Sequence, residues 1–391
     1  MTTNLRSLIP SLKDKIYFNY GGQGPLPTPS LKKIINSWEK LQEIGPFTNN
    51  VWPYINNEVI LTKRLIAKLM GVKIKNIALS ENISTGMVLP LWGIDFIEGD
   101  EILISDCEHP GIVAAVRELC QRFKLKLNIF PIQKISNLND ELVIHEIKKY
   151  LNKNTKILII SHVLWNFGYE VPLKELKNEL EKVNKNSYLI VDGAQSFGHI
   201  EIEEKVRYSD LYAITSHKWA CGPEGLGAFY VSDRFIGRTR PTIIGWKSLK
   251  KEQGIYEPSD NLLHEDARKF EIATSCVPLL AGLRESLSLF ENDIPSNKKN
   301  KIISAMSNKL WFELNQFKDI ELALKSPLKN GIVSFNVNRV IDKNAFIKKL
   351  GLKKIWIRVI EDPKWFRVCI HQITQEDEID LFLNEVKLLM K

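Results

Sequence analysis

Short apolar runs alternate with stretches of helical period over the first three-fifths of the chain. That alternation is the pattern of an α/β fold built on a mainly parallel sheet. Residues 77–79 (IAL) read as a strand. The next element begins near Ser84 and carries Met87, Val88 and Leu91 on one helical face. The run 101–105 (EILIS) follows the Gly99-Asp100 turn and predicts a short buried strand. An amphipathic helix is expected over 112–123, a second buried strand over 156–161 (KILIIS) and a helix over 173–183. Residues 188–191 (YLIV) form a strand ending at Asp192, and 211–215 and 227–231 are further strands flanking a glycine-rich loop. From about Phe235 the pattern changes. Loops rich in Pro, Gly and charge run to about Glu265, followed by a helical stretch, strands at 332–336 and 366–370, and a closing helix at 376–390. This second part reads as a smaller α+β domain.

Composition narrows the class. The 391 residues are 44% apolar and 26% charged, as in globular proteins, and suffice for about two or three domains. No run reaches the ~18 apolar residues that span a bilayer. The opening MTTNLRSLIPSLKDK lacks a signal peptide's apolar core, so a cytoplasmic protein with no membrane partner is expected. Five cysteines, at 107, 120, 221, 276 and 369, form no C-x-x-C pair and read as reduced thiols rather than a disulfide framework or a metal site. The net charge of +8 comes from lysines spread along the chain, with only short clusters such as Lys298-Lys299. That is a solvated surface, not a nucleic-acid footprint.

One spacing carries most of the chemistry. The strand ending at Asp192 is followed, about 20 residues on, by another that runs into Thr215-Ser216-His217-Lys218. Open α/β sheets collect ligands outside the carboxyl ends of their strands, so the acid and the lysine can face one cleft. An aspartate after four apolar residues needs a cationic or hydrogen-bonded partner. A lysine in a partly dry pocket can bond an aldehyde. Aspartate on a pyridinium nitrogen and lysine on the aldehyde carbon are the protein's share of pyridoxal 5'-phosphate chemistry. Taken singly, Asp192 reads more readily as a turn cap and Lys218 as a surface lysine. Ser84-Thr85-Gly86, at a helix start, offers hydroxyls and free N–H groups to a phosphate, or simply caps the helix. Thr215 and His217 lie beside Lys218 and can add phosphate contacts. His109, directly after a strand in Asp106-Cys107-Glu108-His109-Pro110-Gly111, can stack on a cofactor ring or be a turn residue. The loop Cys221-Gly222-Pro223-Glu224-Gly225-Leu226-Gly227 turns tightly nearby but is no Walker loop.

In this order, these residues resemble the class V aminotransferase-like enzymes. Those are fold-type-I pyridoxal phosphate proteins that include cysteine desulfurases, isopenicillin N epimerase-like proteins and L-cystine C–S lyases. The resemblance runs from Tyr17-Phe18-Asn19-Tyr20-Gly21-Gly22 through Lys218 to Arg367 and the final helix. YFNYGGQGPLP, LWGIDF, SDCEHPGI and SHVLWN are most similar to the L-cystine C–S lyase branch. The resemblance implies a large domain at 21–264 with a mainly parallel seven-stranded sheet, a small α+β domain at 265–391, and an N-terminal segment, 1–20, packing with the small domain. It implies that Lys218 bonds the cofactor and shuttles protons, Asp192 holds the ring nitrogen, Gln195 donates to the phenolic oxygen and His109 stacks on the ring. Ser84, Thr85, Gly86, Thr215 and His217 would meet the phosphate. Arg367 would grip the substrate carboxylate as a bidentate fork, with Arg358 a second clamp. Tyr20 and Gly21, with Gly22 and Gln23, would line the substrate mouth. A homodimer is implied, with the loop around Trp246 reaching the neighbouring site.

Two departures bear on the reaction. Cysteine desulfurases carry a nucleophilic cysteine on the loop before the carboxylate-binding arginine. Here Arg358-Val359-Ile360-Glu361-Asp362-Pro363-Lys364-Trp365 has none, and Cys369, within an apparent strand, reads as buried and inert. Many relatives also place an asparagine near the ring after the Ser161-His162 pair, where Asn166 or Trp165 would have to serve. Without the loop thiol, β-elimination from L-cystine to thiocysteine, pyruvate and ammonia is the expected reaction, feeding sulfur to an acceptor. A cysteine desulfurase or selenocysteine lyase, an aminotransferase or epimerase, and a cofactor-retaining binding protein are the alternatives.

Overall fold

The computed structural model describes residues 5–46, 48–135, 137–251, 262–294, 296–326, 329–339 and 341–390. The first four residues of the opening segment, and residues 252–261 of the loop expected to run to Glu265, lie outside the described residues. In chain order, β1 (Ile16–Tyr17), α1 (Thr28–Ile44), α2 (Val51–Met70), β2 (Ile77–Ser80) and α3 (Ile83–Leu91) come first. Then come β3 (Glu101–Ser105), α4 (Pro110–Phe123), β4 (Lys126–Phe130), α5 (Asp140–Lys148), β5 (Thr155–Ser161), α6 (Leu173–Val183), β6 (Tyr188–Asp192), β7 (Leu211–Thr215), β8 (Gly227–Val231) and α7 (Asp233–Arg238). The rest comprises α8 (Val277–Asp293), α9 (Ser296–Leu314), β9 (Ile320–Leu322), β10 (Ile332–Val337), α10 (Lys343–Leu352), β11 (Ile355–Trp356), β12 (Arg358–Val359), β13 (Phe366–Cys369) and α11 (Glu376–Leu389).

The seven-stranded sheet has the order β2-β8-β7-β6-β5-β3-β4. Only β8 runs against the rest. Every residue of β3, β6 and β7 is buried, as a strand covered by helices on both faces must be. Alternate side chains serve two cores. Ile102, Ile104, Ile157, Ile159 and Ile190 enter one. Leu103, Leu158, Ile160, Leu189 and Val191 enter the other, which continues into the second sheet. The helices fit by the spacing of their apolar residues, as in α6, which buries Leu173, Leu176 and Leu180. Where α1 meets α8, a Cβ on Gly282 would stand 2.5 Å from Ile34, so only glycine permits the approach.

The second sheet is antiparallel, β12-β13-β10-β9. The N-terminal segment joins it: β1 pairs parallel with β11, and the Cys369 N–H donates to the Phe18 carbonyl at 2.8 Å. Arg6 closes on Glu378 of α11 at 2.6 Å. The chain after Phe235 is not all loop, because Ser232 caps α7 by accepting from the Phe235 N–H at 3.1 Å. No helix among the described residues is long and apolar enough to cross a membrane.

Candidate active site

Six of the seven strands share one direction, so their carboxyl ends form one rim, and the candidate residues follow them there. Asp192 ends β6 and pairs in register with Ser161 of β5 on one side and Ala213 of β7 on the other. It is 5% exposed, and its Oδ1 accepts from the Ala194 N–H at 2.8 Å. Lys218 follows β7 and is half-buried. Its Nζ makes no hydrogen bond or ion pair among the described residues. Burial pulls its pKa down from 10.5 to about 8, opposed by the Asp192 charge and reinforced by Arg367 and Arg358. At pH 7 that raises the neutral amine about 300-fold, to roughly a tenth of the population.

His109 is the N-cap of α4, with Pro110 at the first helical position. Its Nδ1 accepts from the Gly111 N–H at 3.2 Å, so in the neutral ring the proton lies on Nε2. Burial lowers its pKa, with Lys218 adding to the effect, which favours the neutral imidazole. The ring meets Trp165 edge-on, centroids 5.9 Å apart.

Gln195 is locked in a buried corner. Its Nε2 donates to the Gly21 carbonyl at 2.8 Å and its Oε1 accepts from Trp219 Nε1 at 2.8 Å. One Nε2 proton remains for a ligand. Trp219, next to Lys218, is itself clamped: His199 stacks on it at 3.5 Å with planes 2° apart.

Ser84 and Thr85 lie in the first turn of α3, but the cap is Asn82, which sequence reasoning missed. Asn82 Oδ1 accepts from both the N–H and the hydroxyl of Thr85, at 2.9 and 3.0 Å. The signal was present, since Asn three residues before Thr85 is an ordinary capping spacing. Gly86 lets the helix sit close: a Cβ there would be 3.0 Å from Phe229 and 3.1 Å from Ser80. Thr215 Oγ1 pairs with His217 Nδ1 at 2.8 Å.

Arg367 on β13 is 1% exposed. Its Nη1 donates to the Trp165 carbonyl at 2.9 Å and Nη2 to Asn19 Oδ1 at 3.2 Å. Its Nε, Trp165 Nε1 and Asn166 Oδ1 are buried and find no hydrogen-bond partner among the described residues. Arg358 of β12 is its cross-strand neighbour and is exposed. Asn166 Nδ2 reaches the Asp362 carbonyl at 3.5 Å, tying the loop after β5 to the loop before β13. A Cβ on Gly21 would stand 2.8 Å from Gln195 Oε1, 3.0 Å from Cys369 Sγ and 3.3 Å from Arg367 Cζ. Gly21 thus joins the two halves of the site.

The Tyr20 ring is fully buried, stacked on His371 at 4.5 Å, and lines no open mouth. Gln23 does line a cavity, of about 580 Å³, shared with Tyr17, Gly24 and Glu224. Trp246 packs edge-on against Trp52 and lines, with it, a cavity of about 960 Å³ that Lys218 does not line. Cys369 is buried as expected, yet its Sγ stands beside Gly21 and Arg367.

The family model for class-V aminotransferases matches residues 55–359. Among solved structures, the cystine C–S lyase C-DES, in complex with its reaction product cysteine persulfide, is 35% identical with a TM-score of 0.90, over 97% of this chain and 98% of that one. A lysine-to-alanine mutant of C-DES, with glycine covalently linked to its pyridoxal phosphate cofactor, is 34% identical with a TM-score of 0.91 over the same shares. A probable cysteine desulfurase of Pyrococcus abyssi is 22% identical over 99% of this chain and 97% of that protein. The extent of these matches makes the chain a member of the class-V aminotransferase family, in its pyridoxal phosphate-dependent cysteine desulfurase and C–S lyase group.

Proposed function

We propose that the protein is a C–S lyase that cleaves L-cystine by β-elimination to thiocysteine, pyruvate and ammonia. One observation carries the reading: buried Arg367 and Asp192 lie close enough to Lys218 to act on its charge, while the loop before Arg367 holds no thiol. Of the five free cysteines only Cys276 is exposed, and it lies in the Trp246 cavity. An enzyme without a sulfur nucleophile needs a substrate whose sulfur leaves unaided. A persulfide anion from cystine is a weaker base than a thiolate from cysteine and leaves more readily. The name of the C-DES relative agrees.

The residues fit pyridoxal phosphate. Asp192 is a buried acid, Lys218 is partly neutral, and the buried polar atoms Trp165 Nε1, Asn166 Oδ1 and Arg367 Nε find no partner among the described residues. When bound, the cofactor supplies the electron sink for charge developing at the substrate Cα. Asp192 would hold the ring nitrogen, Gln195 the phenolic oxygen and His109 a ring face. The α3 start, with Ser84, Thr85 and Gly86, would join Thr215 and His217 around the phosphate. Lys218 would hold the aldehyde and, as a free amine, would take the Cα proton. Arg367 and Arg358 would orient carboxylates, and the unpaired Nε of Arg367 gives one more donor. Asn166 would take the place of the ring-contacting asparagine of relatives. Residues 21–264 form the proposed cofactor-binding unit and 265–391 the smaller one, with 1–20 packed on it.

A homodimer belongs to this reading. Leu31, Ile35 and Trp38 form one exposed face of α1, each nearly half exposed, and Trp52 and Trp246 add to the exposed apolar surface. A neighbouring chain would cover them and bring Trp246 to its partner's site. A cytoplasmic setting suits the five free thiols. The test is direct. Purified protein is given cystine, cysteine or selenocysteine, and pyruvate and alanine are scored separately. Pyruvate from cystine, absent in Lys218→Ala, is expected. Alanine instead would establish the desulfurase reading, which the names of the curated relatives favour.

A further inference from the structure

Glu108 is a buried carboxyl that the proposed chemistry does not use. It stands in the turn after β3, immediately before His109, and is 6% exposed. One carboxyl oxygen accepts from Ser105 Oγ at 2.5 Å and the other from Ser161 Oγ at 2.7 Å. The Ser105 hydroxyl also accepts from the Cys107 N–H at 3.1 Å, which leaves its proton for Glu108. Ser105 ends β3, and Ser161 ends the adjacent β5 in register with Asp192. A single side chain therefore ties the turn at 106–109 to the ends of two strands, on the inner side of the rim. On the outer side, the turn is held by Asp106, which accepts from the Gln133 N–H at 3.1 Å.

A buried acid is a costly choice for a brace. Burial pushes its pKa up to about 7, with the serine hydroxyls opposing and the Asp192 charge adding. A small apolar residue would pack there at no such cost, so the two hydrogen bonds need a reason. The next residue provides it. The His109 ring is fixed on its carboxyl-terminal side by the Gly111 N–H. On its amino-terminal side the turn is anchored through Glu108.

We propose that Glu108 is a positioning residue: by bracing the 106–109 turn against Ser105 and Ser161 it fixes the His109 ring over the cofactor. The inference rests on the placement of His109 against the pyridoxal phosphate ring in the proposed function.

The test uses the full chain loaded with pyridoxal phosphate, as wild type, Glu108→Ala, Glu108→Gln, His109→Ala and the Glu108→Ala/His109→Ala double variant. The readouts are the circular dichroism induced in the cofactor's absorption band and the cofactor dissociation constant. Glu108→Ala is expected to at least halve the induced signal and to weaken binding roughly 10-fold, the factor lost with one charge-assisted hydrogen bond. Glu108→Gln restores both to within about twofold, because an amide accepts from one serine and donates to the other. In the His109→Ala background, Glu108→Ala changes nothing further. Equal losses with and without His109 would overturn the proposal, as would a wild-type signal in Glu108→Ala. Should Glu108→Ala fail to fold, Ser161→Ala removes one leg of the brace and must show the same loss in smaller measure; its absence overturns the proposal. A wild-type chain that binds no pyridoxal phosphate would instead defeat the proposed function itself.

Discussion

Gly21→Ala tests how the two halves of the site meet. The added Cβ would stand 2.8 Å from Gln195 Oε1 and 3.0 Å from Cys369 Sγ, where ordinary contact begins at 3.4 Å. Either Gln195 recedes by about 0.6 Å or the turn at residue 21 lifts off. Neither is easy. Gln195 is held at both ends, by the Gly21 carbonyl and by Trp219 Nε1. Cys369 lies within β13 and is tied through its N–H to Phe18. Overpacking of this kind costs about 1–3 kcal/mol. Arg367 Cζ is only 3.3 Å from the new methyl, so the penalty falls together on the two side chains proposed to hold the substrate carboxylate and the cofactor's phenolic oxygen. The expected outcome is a KM for cystine raised roughly 10- to 100-fold in a pyruvate-release assay, with the thermal midpoint lowered by a few degrees at most. Gln195→Ala, although harmful alone, must recover part of the KM loss in the double variant, because it removes the nearest clash. A Gly21→Ala enzyme with KM within about twofold of wild type refutes the steric argument, and so does strict additivity with Gln195→Ala.

Three further outcomes follow from the same geometry. Capture of pyridoxal phosphate by the cofactor-free chain needs the neutral Lys218 amine, so its rate rises with pH through about 8 and levels off above; a rise delayed beyond pH 9 contradicts the desolvated pocket. Arg367→Lys will not stand in for the native residue, since one ammonium cannot reach both Trp165 O and Asn19 while forking a carboxylate; KM should rise at least 10-fold, and an unchanged KM argues that Arg367 does not touch substrate. Arg6→Ala leaves the Glu378 carboxyl, 5% exposed, without its 2.6 Å partner and should cost about 3 kcal/mol in urea unfolding, the lower end for a buried pair because Arg6 is itself partly exposed. Adding Glu378→Gln should return part of that loss, and a double variant as unstable as the single would refute the charge argument.

The parts of the fold that can be read from the sequence are those where burial is complete. β3, β6 and β7 are apolar throughout because helices cover both faces, and their bounds follow within a residue of the runs EILIS, YLIV and LYAIT. β4 escapes notice because it is the sheet's edge: Lys126 and Ile129 are exposed, and KLNIF reads as neither a buried run nor a clean alternation. α1 and α2 are hidden for a related reason. Leu31, Ile35, Trp38 and Trp52 are exposed apolar residues, and they blur the one-sided stripe by which a surface helix is recognised.

The site divides along the same line. Asp192 and Lys218 are legible because each follows a strand that burial makes obvious, and the sheet's direction alone brings them to one rim. What cannot be read is any position set by contact between parts of the chain that are distant in sequence. Tyr20, next to a glycine pair, has the appearance of a mouth residue, yet its ring belongs to a stack with His371, more than 300 residues away in the chain. Glu108 is the sharper case. A glutamate in a turn before a histidine suggests a solvated residue, and nothing local says otherwise. Its burial depends on Ser161, which arrives from another strand only when β3 and β5 pair. A charged group is tolerated there because both of its oxygens are satisfied, a condition the folded sheet supplies and the sequence does not display.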